Sequence, residues 1–508
     1  MTNPPRFALP PLTKGGRGDF AIDCKRKFTN VMCSDLVFSD RLVCVLLRVR
    51  ADVLGIRPDG REHLQAGCLE PLADDWFGGV GRETVERQGK ELTRMDAPAL
   101  HSGGIGEAIV MGEYLRQQYG NDAIVSAVGE VVDDQGVRAY LPTFVEEAAR
   151  IYREQPNQAI AYADIGGRAG YLEASTRYIL PGEFAAGHVA RVAVAGLASA
   201  IYTTLQVLAK RADVFVPEPD WPHYPGMIED LDGRHHGFPL LNPQQTFNAE
   251  ALAAGLQAVP AQGTAAIILN TPCHNPTGYA LTRADWQRVK DVVWEHADAG
   301  KRICLVIDTA YVDYYWERPQ SIQQDIIMPL MPLHERVTLA VGWTISKTFL
   351  AYGQRLGTLL VIASTPQQAS DLQDKIYRAT MATYSQCSTV PQLVIEHLHA
   401  DPQKLRQIQA ERELIRAMLA RRNIAFEAAL KPIGLVSLPG DGGFFRTVEL
   451  PAGVSALEVV RRLAEKRVAM VATGEQRLRI AVCSVPEAKM LPMCERIGEV
   501  VKAMGDRH

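Results

Sequence analysis

The chain has 508 residues, 47% of them hydrophobic and 22% charged, with a formal net charge of −4. That length calls for two or three domains rather than one small core, and the charge excludes a general binder of nucleic acid or of an anionic membrane surface. Nine cysteines are scattered without a CxxC pair, so neither a disulfide framework nor a metal site is expected, and a reducing cytoplasm fits.

In chain order, residues 1–94 stand apart. "PPRFALPPLTKGGRGDF" is rich in Pro and Gly, and no helical period emerges. The apolar run "RLVCVLLRVRADVLGI" is interrupted by Arg48 and Arg50 and is too short to cross a bilayer. No basic start followed by an apolar run marks a signal peptide. We expect an atypical N-terminal extension that the rest of the chain can fold and act without.

From Met95 the texture becomes regular. Residues 95–155 open with a helix, "GEAIVMGEYLRQQYG", continue through "NDAIVSAVGEVVDDQG" and reach a second helix, "FVEEAARIYREQ". From 156 to 385, apolar segments alternate with amphipathic helices: "HVARVAVAG", "ADVFVPEP", "TAAIILN", "RICLVID", "VTLAVGWTIS", "GTLLVIAS". Short Val/Ile/Leu strands between helices predict an α/β domain around a mainly parallel sheet. Residues 386–508 begin with a long charged helix and continue into antiparallel-looking strands, "IGLVSLP" and "GGFFRTVEL", with two more helices. That pattern predicts a smaller α+β domain.

Four stretches carry chemistry. In "AGLASAIYTTL", Gly196 and the small residues after it turn a strand into a helix start, with free amides near Leu197 and Ala198; such a start suits a phosphate. "NTPCHNPTG" places Asn275 in a Pro/Gly turn where strand C-termini gather, the ligand edge of such sheets. "VIDTAY" ends an apolar strand on Asp308, with Tyr311 three residues on. A buried acid is costly unless paired, and a protonated pyridine nitrogen would pair it; a helix cap is the plainer reading.

"WTISKTFLAYGQRLG" sets Lys347 after a strand, with Thr344 before it and Arg355 eight residues after it. A lysine amine can bond an aldehyde, and a hydroxyl with a guanidinium can hold a phosphate on the same molecule. Taken alone, this lysine is equally a solvated charge at a strand end.

Together the four stretches resemble class I aminotransferases, the pyridoxal-phosphate enzymes of fold type I. The resemblance covers roughly residues 120 to 495 and keeps the order NPTG, D-x-A-Y, S/T-x-S-K, R-x-G. It implies a large cofactor domain with a mainly parallel seven-stranded sheet, pyridoxal 5'-phosphate as cofactor, and an amino acid and a 2-oxo acid as substrates. Lys347 then bonds the cofactor aldehyde and moves the α-proton. Asp308 faces the ring nitrogen, Tyr311 and Asn275 face the ring oxygen, and Thr344, Arg355, Leu197 and Ala198 hold the phosphate.

"PEPDWPHY", "IAYADIGG", "SAVGEVVDDQG" and "RLRIA" extend the resemblance to the aspartate and aromatic branch. They imply that Trp221 stacks on the ring and that Tyr162 reaches the phosphate of a partner subunit in a homodimer. They also place Gly129 in an N-terminal lid near the substrate, and make Arg477 the fork for the substrate α-carboxylate.

Departures concern substrate choice. Met381 stands where dicarboxylate-selective members have arginine, Tyr224 where His is usual, and Asn270 where aspartate-selective members often have His. Aromatic or hydrophobic amino donors are expected, with Arg378, Arg446 or Arg479 as replacement cations for an acceptor such as 2-oxoglutarate. A lyase or decarboxylase of the same fold uses nearly the same residues. A transcription regulator carrying such a domain is the remote reading; residues 1–94 hold 15 Lys plus Arg against 13 Asp plus Glu and show no helix-turn-helix pattern.

Overall fold

The structure, a computed structural model, describes residues 97–180, 188–316 and 321–505. The segment 1–94, expected to be an extension, lies outside the described residues. Helix Ile105–Tyr119 leads into a short strand, β1 (Ile124–Ser126). The next seven strands are β2 (Val189–Val194), β3 (Asp213–Glu218), β4 (Arg234–Pro239), β5 (Thr264–Asn270), β6 (Arg302–Asp308), β7 (Val337–Thr344) and β8 (Gly357–Ile362). They form one sheet in the order β2-β8-β7-β6-β5-β3-β4. Only β8 runs antiparallel to its neighbours; the other pairings are parallel.

Every position of β8 and nearly every one of β5, β6 and β7 is buried. Cover on both faces explains why these strands read as continuous apolar runs rather than alternating ones. Helices Leu197–Leu208 and Pro366–Thr383 pack together against the sheet, as do Ala249–Gln257 and Arg283–Asp298. The last of these starts with a capping box between Thr282 and Asp285, which satisfies amides that a helix start leaves open. The register brings Asn270 beside Asp308 and Asp308 beside Gly342, so the functional strand ends meet at one edge.

The second sheet has the order β1-β11-β12-β10-β9, built from β9 (Val436–Ser437), β10 (Arg446–Glu449), β11 (Val468–Ala472) and β12 (Arg477–Ile480) together with β1. β1 pairs parallel with β11; the remaining pairings are antiparallel. Its core is Val459, Leu463, Leu478, Ile497 and their neighbours.

Residue 385, where the sequence texture changes, is not a break in packing. Leu393, Val394 and Leu398 in helix Thr389–Ala400 join the core of the large sheet, as do Ile408 and Leu419. The changeover falls inside helix Pro402–Leu430, whose Phe426, Ala429 and Leu430 belong to the small core. A helix of 29 residues is about 43 Å long, enough to serve two cores at once.

Candidate active site

The strand ends and the helix start enclose a cavity of about 280 Å³, lined by Gly129, Leu197, Ala198, Trp221, Asn275, Asp308, Tyr311, Thr344, Lys347 and Arg355 among others. Of the residues expected to hold cofactor or substrate, only Tyr162 and Arg477 lie outside it.

One end suits an anion. Gly196 takes φ +86° at the N-cap of helix Leu197–Leu208, a conformation in which L side chains are strained. A Cβ there would come within 2.4 Å of Arg355 Nη2. The guanidinium donates to Ser346 Oγ at 3.1 Å and to the carbonyls of Tyr352 at 2.8 Å and Ala195 at 3.3 Å. It therefore stands against the open amides of the helix start, where the backbone dipoles favour negative charge. Thr344 lines the cavity, but its hydroxyl donates to the Leu356 carbonyl at 2.9 Å and accepts from the Ser346 amide at 3.1 Å. The hydroxyl directly on Arg355 is that of Ser346, which the S/T-x-S-K spacing contained and the reading of the sequence did not select.

The opposite end is acidic. Asp308 accepts from the Tyr224 hydroxyl at 2.7 Å and from the Ala310 amide at 3.1 Å. The Asn270 amide donates to the Asp308 carbonyl at 3.1 Å, and Asn270 Oδ1 accepts from the Asn275 amide at 2.6 Å. Burial pushes the Asp308 carboxyl up to about 6 despite these donors. Burial, with the Asp308 charge added, lifts the Tyr224 phenol far above its ordinary range, so Tyr224 stays a donor. No counter-charge touches Asp308 among the described residues; a bound cation would relieve the cost of ionising it.

Between the two ends stands Lys347. Its Nζ donates to the Gly129 carbonyl at 2.6 Å and lies over the Tyr352 ring, 4.7 Å from the centroid. Burial lowers its pKa to about 8, which raises the fraction present as a free, nucleophilic amine. Asn275 sits against the Tyr311 hydroxyl, and its own Oδ1 is buried without a partner. Trp221 presents one wall and meets Tyr224 edge-on at 5.3 Å.

The carboxylate fork needs a correction. Arg477 begins β12 half-exposed and pairs with Glu449 at 3.4 Å, away from the cavity. Arg479 is the arginine in the cavity: it is 2% exposed, donates to the Ala127 carbonyl at 2.5 Å and lies over Phe445 at 4.5 Å. Its Nε is buried without a partner. Residues two apart on a strand share a face but differ by about 7 Å along it, so "RLR" offered two arginines of equal standing. Only the approach of Ala127 and Phe445 separates them.

Of the other proposed cations, Arg378 is exposed near Asp374, and Arg446 is buried against Glu427 and Ser437; neither lines the cavity. Met381 is 57% exposed and lines no part of it. Tyr162 is 92% exposed.

These residues fit pyridoxal phosphate. An anion cradle, a reactive amine and an acid without a counter-charge occur in one cavity, and the orphaned Asn275 Oδ1 adds an unused polar atom beside Tyr311.

Comparison with known proteins agrees. The family model described as aminotransferase class I and II matches residues 124–497. An aromatic-amino-acid aminotransferase of Pseudomonas aeruginosa is 26% identical over 261 residues, 51% of this chain and 63% of that protein. A tyrosine aminotransferase of Klebsiella pneumoniae is 24% identical over 378 residues, 72% of this chain and 91% of that protein. Among solved structures, an aminotransferase from Anaerococcus prevotii superposes with a TM-score of 0.71 at 22% identity, over 80% of this chain and 97% of that one. An aromatic-amino-acid aminotransferase from Burkholderia pseudomallei, covalently bound to pyridoxal phosphate, gives 0.63 at 22% identity, over 77% and 96% of the two chains. At those identities the structural likeness establishes the fold.

Proposed function

The chain belongs to the family of class I and II aminotransferases, and from that premise we propose that it transfers amino groups between an L-amino acid, aromatic or hydrophobic, and a 2-oxo acid. The observation that carries this reading is the placement of Lys347 in one cavity between the Arg355–Gly196 cradle and Asp308. Pyridoxal phosphate, when bound, supplies an aldehyde for amines and an electron-withdrawing ring that stabilises charge at the substrate α-carbon.

The chain's own residues do the rest. Arg355, Ser346 and the first amides of helix Leu197–Leu208 hold the phosphate, and Trp221 fixes the ring plane. Ionised Asp308 keeps the ring nitrogen protonated. Tyr311 and Asn275 hold the ring oxygen, and Arg479 binds the substrate α-carboxylate as a fork. Once its amine is free, Lys347 takes the proton from the substrate α-carbon and returns it one atom away, acting first as base and then as acid. Burial supports this role, because a pKa of about 8 keeps both forms accessible near neutral pH.

The cavity walls support the substrate class. Its lysine and arginines are Lys347, Arg355 and Arg479, and all three already have a role. The side-chain end is faced by Ile105, Val128, Trp221 and Phe445. A second carboxylate would be buried there without a bidentate partner, at a cost of several kcal/mol, about what an unpaired buried charge loses.

We assign residues 95–155 to a lid and part of the small domain, 156–385 to the cofactor domain and 386–508 to the remainder of the small domain. Exposed Tyr162 supports a homodimer in which it completes the partner's phosphate site. The described cysteines are all free and buried, which supports a cytoplasmic setting.

The test is a screen of half-reactions. Individual amino acids are mixed with the cofactor-loaded protein, and absorbance follows conversion from the aldehyde to the amine form; full turnover is then required to depend on a 2-oxo acid. We expect kcat/KM for phenylalanine, tyrosine or leucine to exceed that for aspartate. Aspartate leading by about tenfold, near 1.4 kcal/mol, would overturn the substrate class, and turnover without any oxo acid would overturn the activity.

A further inference from the structure

Residues 127–134 cross the cavity as a strap. One end continues from β1, and Arg479 donates to its Ala127 carbonyl at 2.5 Å. At the other end, the Val132 amide donates to the Cys483 carbonyl at 3.0 Å. Asp134 Oδ1 accepts from Arg422 at 2.7 Å and from the Glu487 amide at 3.3 Å. Both ends are thus anchored to the part of the chain that carries β9–β12.

The middle of the strap meets the other side of the cavity at two points. The Gly129 carbonyl accepts from Lys347 Nζ at 2.6 Å, and the Val131 amide donates to the Tyr352 hydroxyl at 2.9 Å. Lys347 and Tyr352 sit five residues apart on the same short segment, and the lysine amine lies over the tyrosine ring at 4.7 Å. A Cβ on Gly129 would meet Phe445 at 2.6 Å and Lys347 Nζ at 3.4 Å, so the close approach needs glycine.

The two contacts differ in kind. The Tyr352 hydroxyl performs no chemistry and holds Val131 whatever the lysine is doing. The Gly129 contact needs a free lysine amine, because a nitrogen committed to an aldehyde cannot make the same donation from the same place. We propose that Tyr352 is a positioning residue: it pins the strap at Val131 and so presents the Gly129 carbonyl to Lys347 whenever that amine is released. The carbonyl and the aromatic face then restrict a flexible four-carbon stem to one orientation while it carries the α-proton. The strap is held at two points when the amine is free and at one point when it is bonded. This rests on Lys347 being the cofactor lysine.

Hydrogen exchange at the backbone tests it, using the full chain loaded with pyridoxal phosphate or with pyridoxamine phosphate. Both fill the cavity, but only the first can bond the lysine. In the wild type, the Val131 amide is expected to exchange more slowly in the pyridoxamine-loaded form. Tyr352→Phe keeps the ring and removes the hydroxyl. Exchange at Val131 is expected to rise about fivefold or more in both forms, in line with a lost neutral hydrogen bond, and the difference between them to vanish. Exchange in β6 is expected not to change.

A wild type without a difference between the two forms, or a Tyr352→Phe protein that keeps it, overturns the proposal. Borohydride treatment of the pyridoxal-loaded protein separates this failure from that of the reading beneath it. An adduct on the Lys347 peptide upholds the lysine assignment whatever the exchange shows, whereas an adduct elsewhere, or none, overturns both.

Discussion

Arg477 and Arg479 share the same face of β12, and their fates are opposite. Arg479 is enclosed by Ala127 and Phe445 with an unused Nε, whereas Arg477 pairs with Glu449 near solvent. Arg479→Ala is therefore expected to lower kcat/KM for any amino donor by about 100-fold or more, because a charge-assisted pair contributes about 1.5–3 kcal/mol. Arg477→Ala is expected to stay within about twofold, as exposed pairs contribute about 1 kcal/mol or less. Steady-state kinetics of the two variants decides between them.

Asp308 sets a pH dependence. Its carboxyl is raised from 3.8 to about 6 in the folded chain. The folded state therefore holds a proton that the unfolded state has released across this window. Its contribution to stability is fully present below about pH 4 and is lost as pH rises through about 6. Cofactor binding runs the other way, because it needs the ionised acid. Affinity for pyridoxal phosphate is expected to weaken by about tenfold per unit as pH falls below about 6, in a fluorescence titration. Removing the Tyr224 donor, as in Tyr224→Phe, should move that midpoint upward; a midpoint that stays in place would show the 2.7 Å contact to be inconsequential.

At the scale of elements, the turn from β2 into helix Leu197–Leu208 shows how backbone geometry makes a binding site. The helix is stable through its buried Leu197, Ala200, Ile201 and Leu205, and its position leaves the first amides aimed at Arg355. Gly196→Ala brings two costs, a positive φ and a Cβ 2.4 Å from the guanidinium. We expect a folded protein whose cofactor affinity falls by about tenfold or more, since a strained backbone of this kind costs about 1–3 kcal/mol. Gly353→Ala is the control: no atom lies within 4 Å of the added methyl and its φ is not positive. Equal affinities in the two variants would remove the steric role of Gly196.

The elements differ in how clearly the sequence announces them. The inner strands stand out because burial on both faces demands unbroken Val, Ile and Leu. β1 has three residues and was read only as part of a lid. Its identity comes from parallel pairing with Val468–Met470, more than 300 positions away, and local composition carries no trace of such a partner.

For the whole molecule, exposed Tyr140, Tyr152, Ile160 and Tyr162 fall within one stretch of chain, and large apolar side chains gathered on a surface favour association. On the proposed reading that surface meets a second copy. Sedimentation of the full chain is expected to give a dimer, and Tyr162→Phe to weaken cofactor retention without dissociating it. A monomer with full activity at micromolar concentration would end the role given to Tyr162.

The sequence by itself determined the α/β class, the cofactor family and the order of Asn275, Asp308, Lys347 and Arg355. Those residues sit at strand ends and turns, where backbone demands and chemistry leave local spacing that reads directly along the chain. Tertiary structure alone decided which arginine faces the substrate, that Ser346 meets Arg355, that Tyr224 donates to Asp308, and that a strap from residues 127–134 rests on Lys347 and Tyr352. Each of those is a contact between side chains or backbone groups whose distance depends on how two sheets and one long helix pack. Packing is a sum over residues far apart in sequence, so no single stretch of the chain records it.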